Sequence, residues 1–343
     1  MTNMLKTKKV NYLSTIMKKI LLSIVALCCS MAAGAQQTDQ ISAVLQVEGQ
    51  TPQVFYGASA LKSAIEAAPD KGGVITLSSG QFSPVTINKC VRIYGSGLQT
   101  IDSLDVYQTN ISGDCTVNIP EEIASPHDIV IEGVYFNTDL LIKSAVDGLT
   151  LIKSSVGNYS TSAPATRCGI TQSYIRGDVK AHQMFIQNSW LGARIYPLND
   201  GSSIVIDHSI LHAGGYFYLN NDRFTCRNSI LWNSYRASNQ TYNFCLSPYN
   251  NAFTNNAGCS DNIYNVGESN VFKDASNADY STGRTFELKS PDTYIGSDGT
   301  QVGVHGGDFP WNKIPSTPVV KNLKATVSGT DLGVTYQAEV RNQ

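Results

Sequence analysis

One short segment recurs through the middle of the chain and restricts its folds more than any other feature. Six copies align without gaps: Ile129-Val-Ile-Glu-Gly-Val-Tyr-Phe136, Leu149-Thr-Leu-Ile-Lys-Ser-Ser-Val156, Cys168-Gly-Ile-Thr-Gln-Ser-Tyr-Ile175, Met184-Phe-Ile-Gln-Asn-Ser-Trp-Leu191, Ile204-Val-Ile-Asp-His-Ser-Ile-Leu211 and Phe224-Thr-Cys-Arg-Asn-Ser-Ile-Leu231. Their starts are 20, 19, 16, 20 and 20 residues apart. That period is too short for a helical pair and belongs to solenoids that carry strands in every turn. Within each copy the first and third residues are apolar, as a strand with one buried face requires. Two mostly polar residues and a Ser follow, then an apolar residue two further on. The pattern reads strand, sharp bend, strand.

The fifth position marks the bend. Asn188 and Asn228 suit left-handed backbone angles and Gly133 tolerates them, whereas Lys153, Gln172 and His208 at the same position need neighbouring turns to hold them there. The sixth position forms a column of Ser154, Ser173, Ser189, Ser209 and Ser229. A catalytic Ser needs a single His base, and no column supplies one at every turn. The column therefore reads as small hydroxyls packed into a crowded bend and bonded to nearby backbone.

Composition agrees with a strand-and-turn protein. Of 343 residues 42% are hydrophobic and 15% charged, with 28 Gly and 17 Tyr, which excludes a disordered chain and disfavours long helices. The first 35 residues read as a signal peptide: Met17-Lys-Lys19, an apolar run from Ile20 to Leu27, and Ala33-Gly-Ala35 before a mature start at Gln36. Met17 is an alternative start. Removing the five lysines of residues 1–35 from the 25 basic residues leaves 20 against 27 acids, a net charge of −7. That sign disfavours nucleic acid and anionic membranes as partners. No apolar run long enough to cross a bilayer follows. A secreted, periplasmic or cell-surface location is expected. Of the six remaining cysteines, Cys245 and Cys259 bracket one Asn-rich loop and form the best local disulfide pair. No CxxC spacing suggests zinc, and no cofactor or metal is expected.

Both ends look capped. Leu61, Ala64, Ile65 and Ala68 form an apolar helical stripe suited to plugging an open core. Pro315 and Pro318 mark a break, after which two short alternating strands surround Gly329-Thr-Asp-Leu-Gly333 and suggest a C-terminal hairpin. The repeat grammar resembles the pectate-lyase-like right-handed parallel β-helix superfamily. Residues 60–80 resemble its capping helix and first rung, and Val91-Arg-Ile-Tyr-Gly-Ser-Gly97 its next strand. Leu288-Lys-Ser-Pro291 and residues 296–307 resemble the closing rungs of related exported proteins of the Bacteroides group. The resemblance implies an all-β right-handed parallel β-helix with an N-terminal capping helix and a C-terminal hairpin tail. The expected boundaries are 1–35 for the signal peptide, 36–80 for the N-terminal strands and cap, 81–311 for the β-helix and 312–343 for the tail. At about twenty residues a turn, residues 81–305 make roughly eleven rungs.

Polyuronide lyases of this superfamily typically bind calcium through acids on neighbouring rungs and use Arg or Lys as base. The fourth-position column reads Glu132, Ile152, Thr171, Gln187, Asp207 and Arg227, and the fifth Gly133, Lys153, Gln172, Asn188, His208 and Asn228. Neither has adjacent acids, so calcium-dependent pectate cleavage is not expected. Loop acids such as Asp178, Asp200, Asp222 and Asp261 leave open a paired-carboxylate hydrolase, although Asp in loops is usually a turn former. Aromatics crowd the central rungs: Trp190, Tyr196, Tyr216, Tyr218, Trp232 and Tyr235. The expected ligand surface combines Asp207, His208, His212, Arg227, Asn228, Trp232 and Trp190, with Trp232 facing outward and Asp207 pairing with Arg227. Two functions remain in view. The first is a monomeric, non-catalytic scaffold binding a polysaccharide or an envelope protein, and the second is a polysaccharide lyase or glycoside hydrolase.

Overall fold

In the computed structural model of the chain, the described residues are 41–104, 106–198, 201–212, 224–233, 240–250 and 258–316, with the backbone of 319–328 and 331–339. The signal peptide, Gln36, Asp200, Asp222, Tyr216, Tyr218 and Tyr235 lie outside them. The chain is a right-handed parallel β-helix of about eight turns. Each turn contributes to up to three large sheets, which have eleven, eight and six strands, and Val146–Asp147 and Ala165–Thr166 pair in a further short parallel sheet.

The first sheet carries the repeat. Lys71–Leu77, Cys90–Tyr94, Ile129–Glu132, Leu149–Ile152, Cys168–Thr171, Gln183–Gln187, Ser203–Asp207, Phe224–Arg227 and Thr241–Asn243 stack in parallel. Their register places the third-position residues in one inward column: Ile131, Leu151, Ile170, Ile186, Ile206, Cys226 and Tyr242. Each of these is fully buried. At roughly 1.5–3 kcal/mol for each large aliphatic side chain, such columns are what offset the ordering entropy of the turns.

The bends follow the sequence pattern. Lys153, Gln172, Asn188, His208 and Asn228 all have φ between +43° and +51°, and Gly133 has +70°. The serine column is a ladder of hydrogen bonds. The Ser154, Ser173, Ser189 and Ser209 hydroxyls each donate to the carbonyl two residues upstream at 2.8 Å, and Ser229 does so at 2.6 Å. Each hydroxyl also accepts a backbone N–H from the preceding turn, in the order Val134, Ser154, Ser173, Ser189 and Ser209, at 3.0–3.2 Å. A hydroxyl can do both at once, which satisfies a donor and an acceptor in a fully buried bend.

A second ladder holds the bend between the second and third sheets. Side-chain oxygens of Asp114, Asp139, Asn158 and Asp178 accept the N–H of Asp139, Asn158, Asp178 and Arg194 respectively, at 2.7–3.3 Å. Adjacent acids do exist, then, on a column the repeat alignment did not include. Asp139 also accepts from the Asn158 amide, so these carboxylates serve the ladder.

The N-terminal end is closed as expected. Helix Ala60–Ala67 buries Ala60, Leu61, Ala64 and Ile65 in the same core as the rungs, beside an antiparallel pair of strands, Ser42–Gln46 and Gln53–Tyr56. Val319–Ser328 and Asp331–Glu339 form a separate antiparallel two-stranded sheet.

The expected count of eleven rungs is too high, although the stack does run further than the six aligned copies. The rungs continue past the six aligned copies: Thr241–Asn243 pairs with Phe224–Arg227, and Ser260 and Ile263 bridge Asn243 and Leu246. Phe244 and Asp261 take the left-handed bend angles there, at φ +52° and +56°. Beyond Ile263, however, the chain stops adding rungs. Residues 264–316, which include the expected closing rungs, turn back along the outside of the β-helix. The cysteines also differ from expectation. All six cysteines among the described residues are free thiols, and Cys245 and Cys259 are not bonded to each other.

Candidate functional site

The return segment is held by the bend residues themselves. Asn228 accepts the Ser297 N–H at 2.8 Å, and its own carbonyl accepts the Gly303 N–H at 2.7 Å. One turn below is His208, and below that the Asn188 amide donates to the carbonyls of Val304 and Gly306 at 3.0 and 2.7 Å. The Gln172 amide donates to Phe309 and Pro310, and Glu132 accepts the Ser316 N–H at 2.7 Å. The segment thus descends the column from Asn228 to Glu132 as its own numbering rises. This contact explains why a left-handed column is polar yet buried. Lys153, Asn188, His208 and Asn228 are all less than 5% exposed. His208 and Asn228, expected on a ligand surface, chiefly anchor this segment.

His208 stands at the centre of a carboxylate network. Its Nδ1 is 2.9 Å from Asp207 Oδ1, and its Nε2 is 3.1 Å from Thr300 Oγ1 and 3.4 Å from Asp298 Oδ2. Asp207 also accepts from the Asn228 amide at 2.9 Å and from Arg227 Nε and a terminal guanidinium nitrogen at 2.9 and 2.7 Å. Burial opposes ionisation of Asp207, yet the hydrogen bonds from His208 and Arg227, with the Arg227 charge, outweigh it and hold its pKa below the ordinary value. The expected Asp207–Arg227 pair is present, but it is one edge of a network rather than an isolated surface contact. Asp207, His208 and Thr300 are ordered like a nucleophile triad. The Thr300 hydroxyl, however, donates to Asp298 at 3.0 Å and accepts the Gly307 N–H at 2.7 Å, so its proton points away from the imidazole.

The aromatic residues lie elsewhere. Trp190 lies in the second sheet and Trp232 directly follows that sheet's strand Ile230–Leu231, and they are 5% and 4% exposed. Trp190 donates to the Ala278 carbonyl at 2.7 Å, and Trp232 stacks on Phe272 at 5.2 Å. His212 stacks on Trp190 and meets Asp279 at 2.9 Å. Trp232 therefore does not face outward. Residues 271–288 of the return segment cover it, because Trp190, Ile210 and Ile230 form an outward apolar column that water would otherwise wet. Tyr196 belongs to the third sheet, beside Lys180 and Arg194.

What remains open is a groove of about 480 Å³ between the outer face of the first sheet and the return segment. The sheet contributes Phe185, Gln187, Asp207 and Arg227, and the segment contributes Ser297, Asp298, Asp308 and Phe309. Phe185 and Phe309 are 38% and 50% exposed, large apolar faces beside amide, guanidinium and carboxylate groups. Of the seven expected site residues, Asp207, His208, Arg227 and Asn228 line this groove and Trp190, His212 and Trp232 do not. Phe185 was missed, although its signal is visible: it fills the outward second position, where the other copies carry Val, Thr or Gly. Phe309 and Asp308 lie outside the repeat and carry no periodic signal. A smaller groove of about 330 Å³ beside the capping helix has no aromatic lining residue. Among the described residues, no three His, Cys, Asp or Glu side chains are placed to hold a metal ion. No protein-family model, curated protein or solved structure matches the chain.

Proposed function

We propose that the chain is an exported, pectate-lyase-like β-helix protein of the Bacteroides-group type that binds a neutral polysaccharide in this groove without cleaving it. The observation that carries the reading is the pair of exposed aromatic faces, Phe185 and Phe309, in one groove with the polar Gln187 and Arg227. Sugar rings offer apolar C–H faces and a rim of hydroxyls, which aromatic faces and fixed polar groups match together. The Arg227 charge is balanced by Asp207, and Asp298 and Asp308 add negative charge, so a polyanionic chain is disfavoured. Support for binding rather than catalysis comes from how Asp207 and Asp298 are engaged. Asp207 is held by three side chains and Asp298 by Thr300 and His208, which leaves neither placed as a free acid or base.

A glycan array identifies the ligand, and calorimetry on that glycan with Phe185→Ala and Phe309→Ala tests the site. Each variant is expected to fold normally and lose affinity severalfold, while the polysaccharide is recovered at unchanged length. Undiminished binding in both variants removes the groove from consideration. Unsaturated or shortened products, calcium-dependent or not, replace the binding reading with a lyase or a hydrolase.

A further inference from the structure

Two neighbouring rungs near the end of the stack, those of Phe224–Arg227 and Thr241–Asn243, break two rules of the repeat at one place. The sixth-position residue of one turn can be matched with the third-position residue of the turn before it; Ser173 Oγ lies 3.5 Å from the Leu151 carbonyl oxygen. Along the stack these pairs are Leu151 with Ser173, Ile170 with Ser189, Ile186 with Ser209 and Ile206 with Ser229. The next pair is Cys226 with Cys245. Here alone the third position exchanges its branched aliphatic for a thiol while the sixth exchanges its Ser for one. Cys245 keeps the geometry of the column. Its Sγ is 3.5 Å from the Cys226 carbonyl oxygen and 3.5 Å from that of Asn243, the position two residues upstream to which each Ser donates. The two sulfurs are 4.0 Å apart, and both residues are essentially fully buried. Cys259 is differently occupied, its sulfur accepting the Tyr242 N–H at 3.3 Å.

We propose that Cys226 and Cys245 are joined as a disulfide when the chain folds in the presence of a small-molecule disulfide oxidant. The reaction is a thiol–disulfide exchange. Both protein S–H bonds break, one S–S bond forms, and the two protons and two electrons pass to the oxidant, which leaves as two thiols. With both sulfurs buried in the finished stack, the exchange takes place while the last rungs are still closing. It ties the rung of Phe224–Arg227 to that of Thr241–Asn243, at the end of the stack away from the capping helix. Cys226 pairs in register with Tyr242, and Cys245 follows across the bend at Phe244, where the fold already brings its sulfur to 4.0 Å from that of Cys226, so side-chain rotation and an approach of about 2 Å give the bonding distance. The chemistry is independent of the proposed glycan site.

The test is to refold the reduced, denatured chain with and without oxidised glutathione, block free thiols, digest and map the peptides by mass spectrometry. With oxidant, one linked pair of peptides containing Cys226 and Cys245 is expected, lighter by two hydrogens, and the other four cysteines should be blocked. Cys245→Ser gives the column the residue that the five preceding turns carry there. It should fold with an unchanged circular dichroism spectrum, form no link, and have a denaturation midpoint that reductant does not move. The oxidised wild-type midpoint should fall on reduction. Recovery of both thiols in blocked form after oxidative folding, or a link between Cys245 and Cys259, would overturn the proposal.

Discussion

The molecule has two apolar cores built on opposite logics. Inside the β-helix, Ile131, Leu151, Ile170, Ile186 and Ile206 stack on their own equivalents, and each contact joins residues about one turn apart. Outside it, Trp190, Ile210, Ile230 and Trp232 meet Phe272, Phe286, Val302 and Trp311, which come from an aperiodic segment and return to no repeated position. The inner core follows from a rule applied many times, whereas the outer core is assembled once from unlike shapes. A rung can therefore tolerate its neighbours' variation. The return segment depends on particular partners.

The largest expected effect separates the two cores. Trp232→Ala removes a buried ring stacked on Phe272 and should cost about 3–5 kcal/mol. Phe136→Ala in the inner core should cost a similar amount. The outcomes differ in where the loss appears. Hydrogen exchange should show the Gly303 and Ser316 amides exposed in Trp232→Ala while the first sheet stays protected, whereas Phe136→Ala should lower protection through the rungs. Equal loss everywhere in both variants would show one cooperative unit.

A smaller effect tests the bend. Ser209→Leu overfills a fully buried position and should lower stability by ~1–3 kcal/mol, read as a shift in denaturant midpoint. An unchanged midpoint would contradict the ladder.

Acid should act on the outer core first. The folded pKa of Asp207 lies below its ordinary value of 3.8. Its contribution is therefore complete above the unfolded pKa and lost as pH falls through the folded value. Since Asp207 holds His208 and Asn228, the tryptophan fluorescence of the outer core should change there before the far-ultraviolet signal of the strands. Asp207→Asn should flatten that acid limb.

The smallest effect is a control. Arg167 pairs with Asp128 and Asp147 on the exposed third bend, at 3.1 and 2.6 Å. Arg167→Ala should leave the midpoint unchanged within error, because solvent screens such pairs.

The inner core was legible because its signal is periodic. Position three, the bend and the serine column all appear in the six copies, and the capping helix shows its apolar stripe. Reading faltered where the period changed residue type. The rungs through Tyr242 and Ser260 replace the column's Ser with Cys245 and Asn262, which hid them. The return segment has no period at all, yet one trace of it was present. In the last three copies Trp190, Ile210 and Ile230 occupy the seventh position, directly before the inward Leu191, Leu211 and Leu231. Two successive apolar residues on a strand face opposite ways, so one of them needs cover from outside the repeat. The groove inherits this limit, since five of its twelve lining residues come from the return segment.

The return segment also changes what kind of object a solenoid is. An unstrapped stack can gain or lose a turn, as beads are added to a rod, because each turn meets only the next. Here Ser297, Val304, Phe309 and Ser316 engage Asn228, Asn188, Gln172 and Glu132 in fixed order, over sequence separations of 69 to 184 residues. Insertion of a single extra turn between Gln172 and Asn188 would leave every later anchor displaced by one strand spacing of about 4.8 Å. The segment acts as a ruler with four marks, and the number of rungs between Glu132 and Asn228 is the length it measures.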